Sequence, residues 1–153
     1  MKQTLLIITA VMLVVGFTSG QEPIDGSTLV YKDDLMYAPG SDKPYSGVAV
    51  WYNSGQKEYE STFKDGERNG LQTWWYDNGQ KSEEKTYKDG KLDGLYTEWY
   101  SNGQKKRENT YKDGKPDGLI TWWFDNGQKS EERTYKDGEL IEETYWDRNG
   151  NKN

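Results

Sequence analysis

The residues of this chain that could do chemistry are carboxylates, aromatic rings and lysines, and they recur at one interval. Glu60, Glu84, Glu108 and Glu132 are 24 residues apart, and so are Trp51, Trp75, Trp99 and Trp123. Histidine and cysteine are absent from all 153 residues. That removes imidazole and thiolate bases, Ser-His and Cys-His nucleophile pairs, disulfides, and sulfur- or imidazole-ligated metals. Carboxylate catalysis of the glycosidase kind needs two acids in different environments at a set separation. An acid copied unchanged in every unit is no such pair, so the sequence predicts no enzyme and no catalytic residue. Asp77-Asn78-Gly79 and Asp125-Asn126-Gly127 raise the question of calcium, but their spacing fits no EF-hand loop and turn formation accounts for them. No metal and no cofactor are expected.

Binding is the chemistry left. Adjacent residues of a strand point to opposite faces. If Trp51, Trp75, Trp99 and Trp123 form a packing ladder between units, with intervening rings bridging copies two strands apart, Trp74 and Trp122 remain free to stack on sugar rings or cationic groups. The Glu row has two readings: solvated carboxylates hydrogen-bonded to neighbouring Thr hydroxyls, or an acidic groove for a partner.

The elements that must position these residues are hairpins. Asn-Gly turns place Gly79, Gly103 and Gly127 at steps of 24, and Asp-Gly turns do the same for Gly66, Gly90, Gly114 and Gly138. Gly55 lies 24 before Gly79, whereas Gly150 lies 23 after Gly127. Each unit reads Gly, an apolar and aromatic run, Asn-Gly, a polar run ending Thr-Tyr-Lys, then Asp-Gly. Asn-Gly between two such runs is a strong hairpin signal, because a type I′ turn needs positive φ at both central residues.

A two-residue loop at Asn78-Gly79 pairs Tyr76 with Lys81, Trp75 with Ser82 and Thr73 with Glu84. One face then carries Leu71, Thr73, Trp75, Ser82, Glu84 and Thr86. The other carries Trp74, Tyr76, Lys81, Glu83, Lys85 and Tyr87. Between units the first face repeats its Trp, its Glu and the row Thr62, Thr86, Thr110 and Thr134. The second drifts, through Val50, Trp74, Glu98 and Trp122 at one position and Tyr59, Glu83, Arg107 and Glu131 at another. A position that packs on its own copy cannot drift freely, so the drifting face, with Trp74, Tyr96, Ile120 and Trp122, is the candidate interaction surface. Glu60, Glu84, Glu108 and Glu132 are its acidic rival.

These patterns predict an all-β, elongated, single-layer antiparallel meander of tandem hairpins. Lys2, the apolar run Leu5 to Val15 and the triplet Thr18-Ser19-Gly20 have the layout of a secretory signal peptide over residues 1–20. The run makes roughly 16 Å of helix, about half a bilayer core, so no membrane span is expected in the mature chain. Without a cysteine after it, no lipoprotein anchor forms, and a secreted or periplasmic location is expected. Residues 21–46 lack the repeat and read as a lead-in cap, in which Ala38-Pro39-Gly40 is expected to form a turn between the apolar runs Leu29 to Tyr31 and Leu35 to Tyr37. Repeats fill 47–141. A partial capping copy occupies 142–153, where Glu142 and Glu143 replace Leu119 and Ile120 and make the edge polar. A mean hydropathy of −1.13 and 30% charged residues would suit a disordered chain, but 14% aromatic residues argue for a fold. The formal charge of −6 disfavours nucleic acid and anionic membranes.

The unit running from Trp75-Tyr76-Asp77-Asn78-Gly79-Gln80-Lys81 to Tyr87-Lys88-Asp89-Gly90-Lys91-Leu92-Asp93-Gly94 closely resembles the MORN-repeat variant of the bacterial YwqK-type antitoxin family. The resemblance covers about residues 45 to 150, and the lead-in Ser41-Asp42-Lys43-Pro44-Tyr45-Ser46-Gly47 is similar to the segment that precedes such repeats. It implies a sheet of stacked hairpins that binds another protein, in some members a toxin neutralised by its immunity partner. The signal peptide departs from a cytoplasmic antitoxin. Less closely, the aromatic repeats resemble choline- and glucan-binding wall repeats, which imply a polysaccharide partner. A protein-interaction scaffold with an unidentified protein partner is the leading expectation, and a carbohydrate or cell-wall module using exposed aromatics the alternative.

Overall fold

Two kinds of turn alternate along the chain, and between them they set the register of every strand. The computed structural model describes residues 22–153; the signal-peptide expectation falls on residues outside these. The strands are β1 (Ile24–Asp25), β2 (Val30–Lys32), β3 (Leu35–Tyr37), β4 (Gly47–Asn53), β5 (Gln56–Lys64), β6 (Glu67–Trp75), β7 (Lys81–Lys88), β8 (Lys91–Trp99), β9 (Lys105–Lys112), β10 (Lys115–Trp123), β11 (Lys129–Lys136) and β12 (Glu139–Tyr145), with one 3-10 turn at Gly26–Thr28. Strands β4 to β12 pair in chain order as an antiparallel meander. β1 adds to β4 as a parallel pair to complete a ten-stranded sheet, and β2–β3 form a separate hairpin. No helix among the described residues is long and apolar enough to cross a membrane.

The Asp-Gly turns are the two-residue type I′ loops. Asp89 (φ 46°) and Gly90 (φ 75°) both lie in the left-handed region, and Lys88 faces Lys91 across them. The Asn-Gly turns differ from the expectation. The Tyr76 carbonyl accepts from Gly79 N–H at 2.8 Å, Tyr76 N–H donates to the Gln80 carbonyl at 2.8 Å, and of the loop residues only Gly79 has positive φ. This is a three-residue loop, a type I turn closed by a left-handed glycine. It relieves Asn78 of the left-handed conformation and leaves its side chain free to accept from Gln80 N–H at 3.0 Å.

The extra loop residue puts Trp75 opposite Lys81 instead of Ser82. A β-bulge at Ser82 then restores the expected pairs Trp74–Glu83, Thr73–Glu84 and Leu71–Thr86. Lys81 consequently lies on the face of Trp75, not on the face of Trp74 where simple alternation places it.

The first hairpin turns differently. Ser54 (φ 50°) and Gly55 (φ 82°) make a two-residue loop, so β4 is slipped by one residue relative to its later copies. Val50 therefore faces Glu60 where Thr73 faces Glu84, and Trp51 faces Tyr59. A one-residue slip turns every side chain over. Trp51 thus leaves the ladder of Trp75, Trp99 and Trp123 and joins the opposite face.

That face of β4 and β5 holds the apolar core: Tyr45, Ala49 and Phe63, with Ile24, Leu29, Met36, Ala38 and Trp51 packed on them. The lead-in supplies the cover. Its β2–β3 hairpin turns at Asp33-Asp34, both of positive φ, and not at Ala38-Pro39-Gly40, which follows β3. Met36 N–H donates to the Gly66 carbonyl at 3.0 Å and Gly66 N–H to the Tyr45 carbonyl at 2.8 Å, tying the cap to the first Asp-Gly turn.

Candidate functional site

From β6 onward each face of the sheet is covered only by its own side chains, and the two faces use them differently. On the face that repeats, Lys and Trp alternate from strand to strand. Lys57 Nζ lies 4.8 Å from the Trp75 ring centroid, Lys81 6.0 Å from Trp99, Lys105 5.8 Å from Trp123, and Lys129 5.8 Å from Trp146. Each lysine reaches forward to the ring of the next hairpin, so lysines, not rings, bridge the tryptophans.

The same lysines hold the Glu row. Lys57 pairs with Glu60 at 2.5 Å, and Lys81, Lys105 and Lys129 pair with Glu84, Glu108 and Glu132. The partner of each carboxylate is a lysine rather than a Thr hydroxyl, and Thr73, Thr97 and Thr121 are buried between neighbouring glutamates. Turn side chains add further bonds between hairpins. Tyr76 and Tyr100 hydroxyls donate to the Trp99 and Trp123 carbonyls at 2.7 and 2.8 Å, and Asn78 and Asn102 Nδ2 donate to the Ser101 and Asp125 carbonyls at 2.9 and 3.0 Å. The Trp, Tyr, Asn and Lys side chains of the Trp-Tyr-x-Asn-Gly-Gln-Lys unit therefore each have a task inside the array. Lys57, Lys81, Lys105 and Lys129 share the 24-residue period, which was the signal for this ladder; the unforeseen bulge hid their face.

The drifting face carries a different row. Trp51, Tyr59, Trp74, Glu83, Glu98, Arg107, Trp122, Glu131 and Tyr145 follow one another across β4 to β12. Tyr59 lies 4.7 Å from Trp51 and stacks on Trp74 at 4.4 Å. A second row beside it brings cations over these rings. Lys85 lies 5.0 Å from Trp74 and 4.7 Å from Tyr96, and Arg133 5.4 Å from Trp122. Arg107, from the first row, lies 5.6 Å from Tyr96 and 5.2 Å from Trp122. Arg107 and Arg133 come from the strands on either side of β10, and both guanidinium groups lie over the Trp122 ring.

Of the four predicted interaction residues, Trp74, Tyr96 and Trp122 lie together on this face and are half-buried. Ile120 shares the face but is 3% exposed, packed beneath its neighbours, and offers no contact surface. Sequence reasoning left Lys85, Arg107 and Arg133 out of the site. Their positions drift between copies as the tryptophans do, and that drift was the available signal.

The Tyr96 hydroxyl lies between Glu83, at 2.9 Å, and Glu98. Burial and the two carboxylates push its pKa well up. Burial raises the Glu98 pKa, but the Tyr96 hydroxyl and Lys106, at 3.1 Å, outweigh it, and the carboxyl titrates below its ordinary value. Lys85 pairs with Glu83 at 2.6 Å. Glu83, Glu98 and Glu131 of this face are thus each paired with a cation, Lys85, Lys106 and Arg133 in turn.

The family described as MORN repeat variant matches residues 68–89, 92–113 and 116–137. Each match covers one hairpin, β6–β7, β8–β9 or β10–β11, and stops at an Asp-Gly turn. Each matched hairpin has the three-residue loop, and β4–β5, whose loop is shorter, lies outside the matches. No curated protein matches the chain.

Proposed function

We propose that this array of MORN-variant repeats is a non-catalytic scaffold for protein–protein interaction whose partner docks on the drifting face. One contrast carries the reading: the Lys-Trp-Glu face repeats without change and spends its charges on its own neighbours, whereas the opposite face sets Trp74, Tyr96 and Trp122 in surroundings that differ at every step. Repetition is what a scaffold requires of itself, and variation is what recognition of a dissimilar partner requires. Half-buried tryptophan and tyrosine beside arginine are the residue types that anchor protein interfaces. Sugar stacking on Trp122 is disfavoured, because a sugar would compete for the ring with two guanidinium groups that already lie over it. The resemblance to antitoxin repeats makes an immunity-type partner the first to try, and the signal-peptide layout of residues 1–20 supports an encounter outside the cytoplasm.

A photocrosslinking residue at position 122 tests this against one at position 99 on the opposite face. In native envelope extracts the first is expected to give a discrete protein adduct and the second none. Adducts at 99 and none at 122 would reverse the assignment of the faces.

A further inference from the structure

The cations on the drifting face are not equivalent. Lys85 is closed off by Glu83, and Arg133 by Glu131, by Glu143 at 3.6 Å and by the Tyr145 hydroxyl at 3.4 Å. Arg107 is different. Its Nε donates to Asn109 Oδ1 at 3.0 Å, but among the described residues its terminal nitrogens hold no hydrogen bond. The carboxylate oxygen nearest to them, Glu98 Oε1, is 3.8 Å from Nη1, and Glu98 is already held by Lys106 and Tyr96.

We infer that Arg107 is a preorganised receptor for one carboxylate of the partner, an Asp or Glu side chain on the segment that docks across Tyr96 and Trp122. The inference rests on the docking face proposed above and names the chemistry read there. Flanking rings fix the guanidinium plane, and Asn109, 0% exposed, anchors it from below, so the side chain, itself 28% exposed, pays little further entropy on binding. The free fork matches a planar carboxylate with two parallel N–H···O bonds. A phosphate suits the place less well. Glu98 stands beside it on a chain of net charge −6, and a group carrying a second negative charge meets more of that repulsion.

The test is an NMR titration of the full chain, reading the Arg107 Nε–H and Trp122 indole resonances. The probe is a capped Gly-Glu-Gly-Glu-Gly peptide, with its Gln counterpart and inorganic phosphate alongside. Saturable shifts are expected with the Glu peptide alone. Arg107→Gln is expected to weaken its binding about tenfold, the loss of one charge-assisted pair. Arg107→Lys keeps the charge without the fork and should bind as poorly. Lys88→Gln, which removes an exposed cation at the far end of β7 and outside this face, should bind like the native chain. No saturable shift in the native chain, an equal response to phosphate, or native affinity in Arg107→Lys would each overturn the assignment. Adducts at position 122 that persist unchanged in Arg107→Gln would also sink the receptor while leaving the docking face standing. Absence of adducts at 122 would sink the face itself.

Discussion

At the scale of the residue, the array economises on partners by making each side chain serve two hairpins. Lys105 is the pattern: it stands opposite Trp99, lies over Trp123 of the following hairpin, and neutralises Glu108 of its own strand. A carboxylate row that looks like an acidic groove in the sequence is therefore neutralised within the fold. On the other face, the Tyr96–Glu98–Lys106 cluster gives a prediction in pH. Glu98 titrates below its ordinary 4.5 in the folded chain, so its contribution to stability is fully present above that value and is lost as pH falls through the depressed one. The stability difference between the native chain and Glu98→Gln, followed by denaturant unfolding, should stay constant at neutral pH and shrink only below 4.5. A difference that does not change with pH would mean that Glu98 is not the charged partner of this cluster.

At the scale of the element, loop length decides which face a tryptophan occupies. The three-residue loops and their bulges hold Trp75, Trp99 and Trp123 in one row. The two-residue loop at Ser54-Gly55 sends Trp51 to the other side, where the cap covers it. Gly26 makes this contact possible: a Cβ there would lie 2.2 Å from the Trp51 ring. Gly26→Ala should therefore destabilise the chain by about 1–3 kcal/mol, the usual cost of overpacking, and pairing it with Trp51→Val should recover much of the loss. Thermal unfolding of the single and double variants checks this. An unshifted midpoint in Gly26→Ala would show that the cap does not rest on Trp51.

At the scale of the whole molecule, stability beyond the cap comes from contacts between neighbouring hairpins, the behaviour of a one-dimensional array. Deleting residues 94–117 joins Asp93 to Gly118 and removes one complete period, leaving Lys81 to meet Trp123 as it now meets Trp99. The shortened chain should fold, unfold in one transition, and show a smaller denaturant m-value, since it exposes less surface on unfolding. Circular dichroism during urea unfolding reads this. Loss of the β signal altogether would mean that the hairpins are not interchangeable units.

The period, the hairpin, the open meander and the existence of two unequal faces were all determined by the sequence. Turn chemistry and side-chain alternation are local, and repetition multiplies a weak local signal. Tertiary structure decided what lies one residue or one strand away: the loop type at Asn-Gly, the bulge that turns Lys81 over, and the slip that removes Trp51 from the ladder. It also buried Ile120 and isolated Arg107. Pairing energy between strands, not intrinsic preference, selects among registers that differ by a single residue. A side chain's freedom to bind depends on which neighbours that register places beside it.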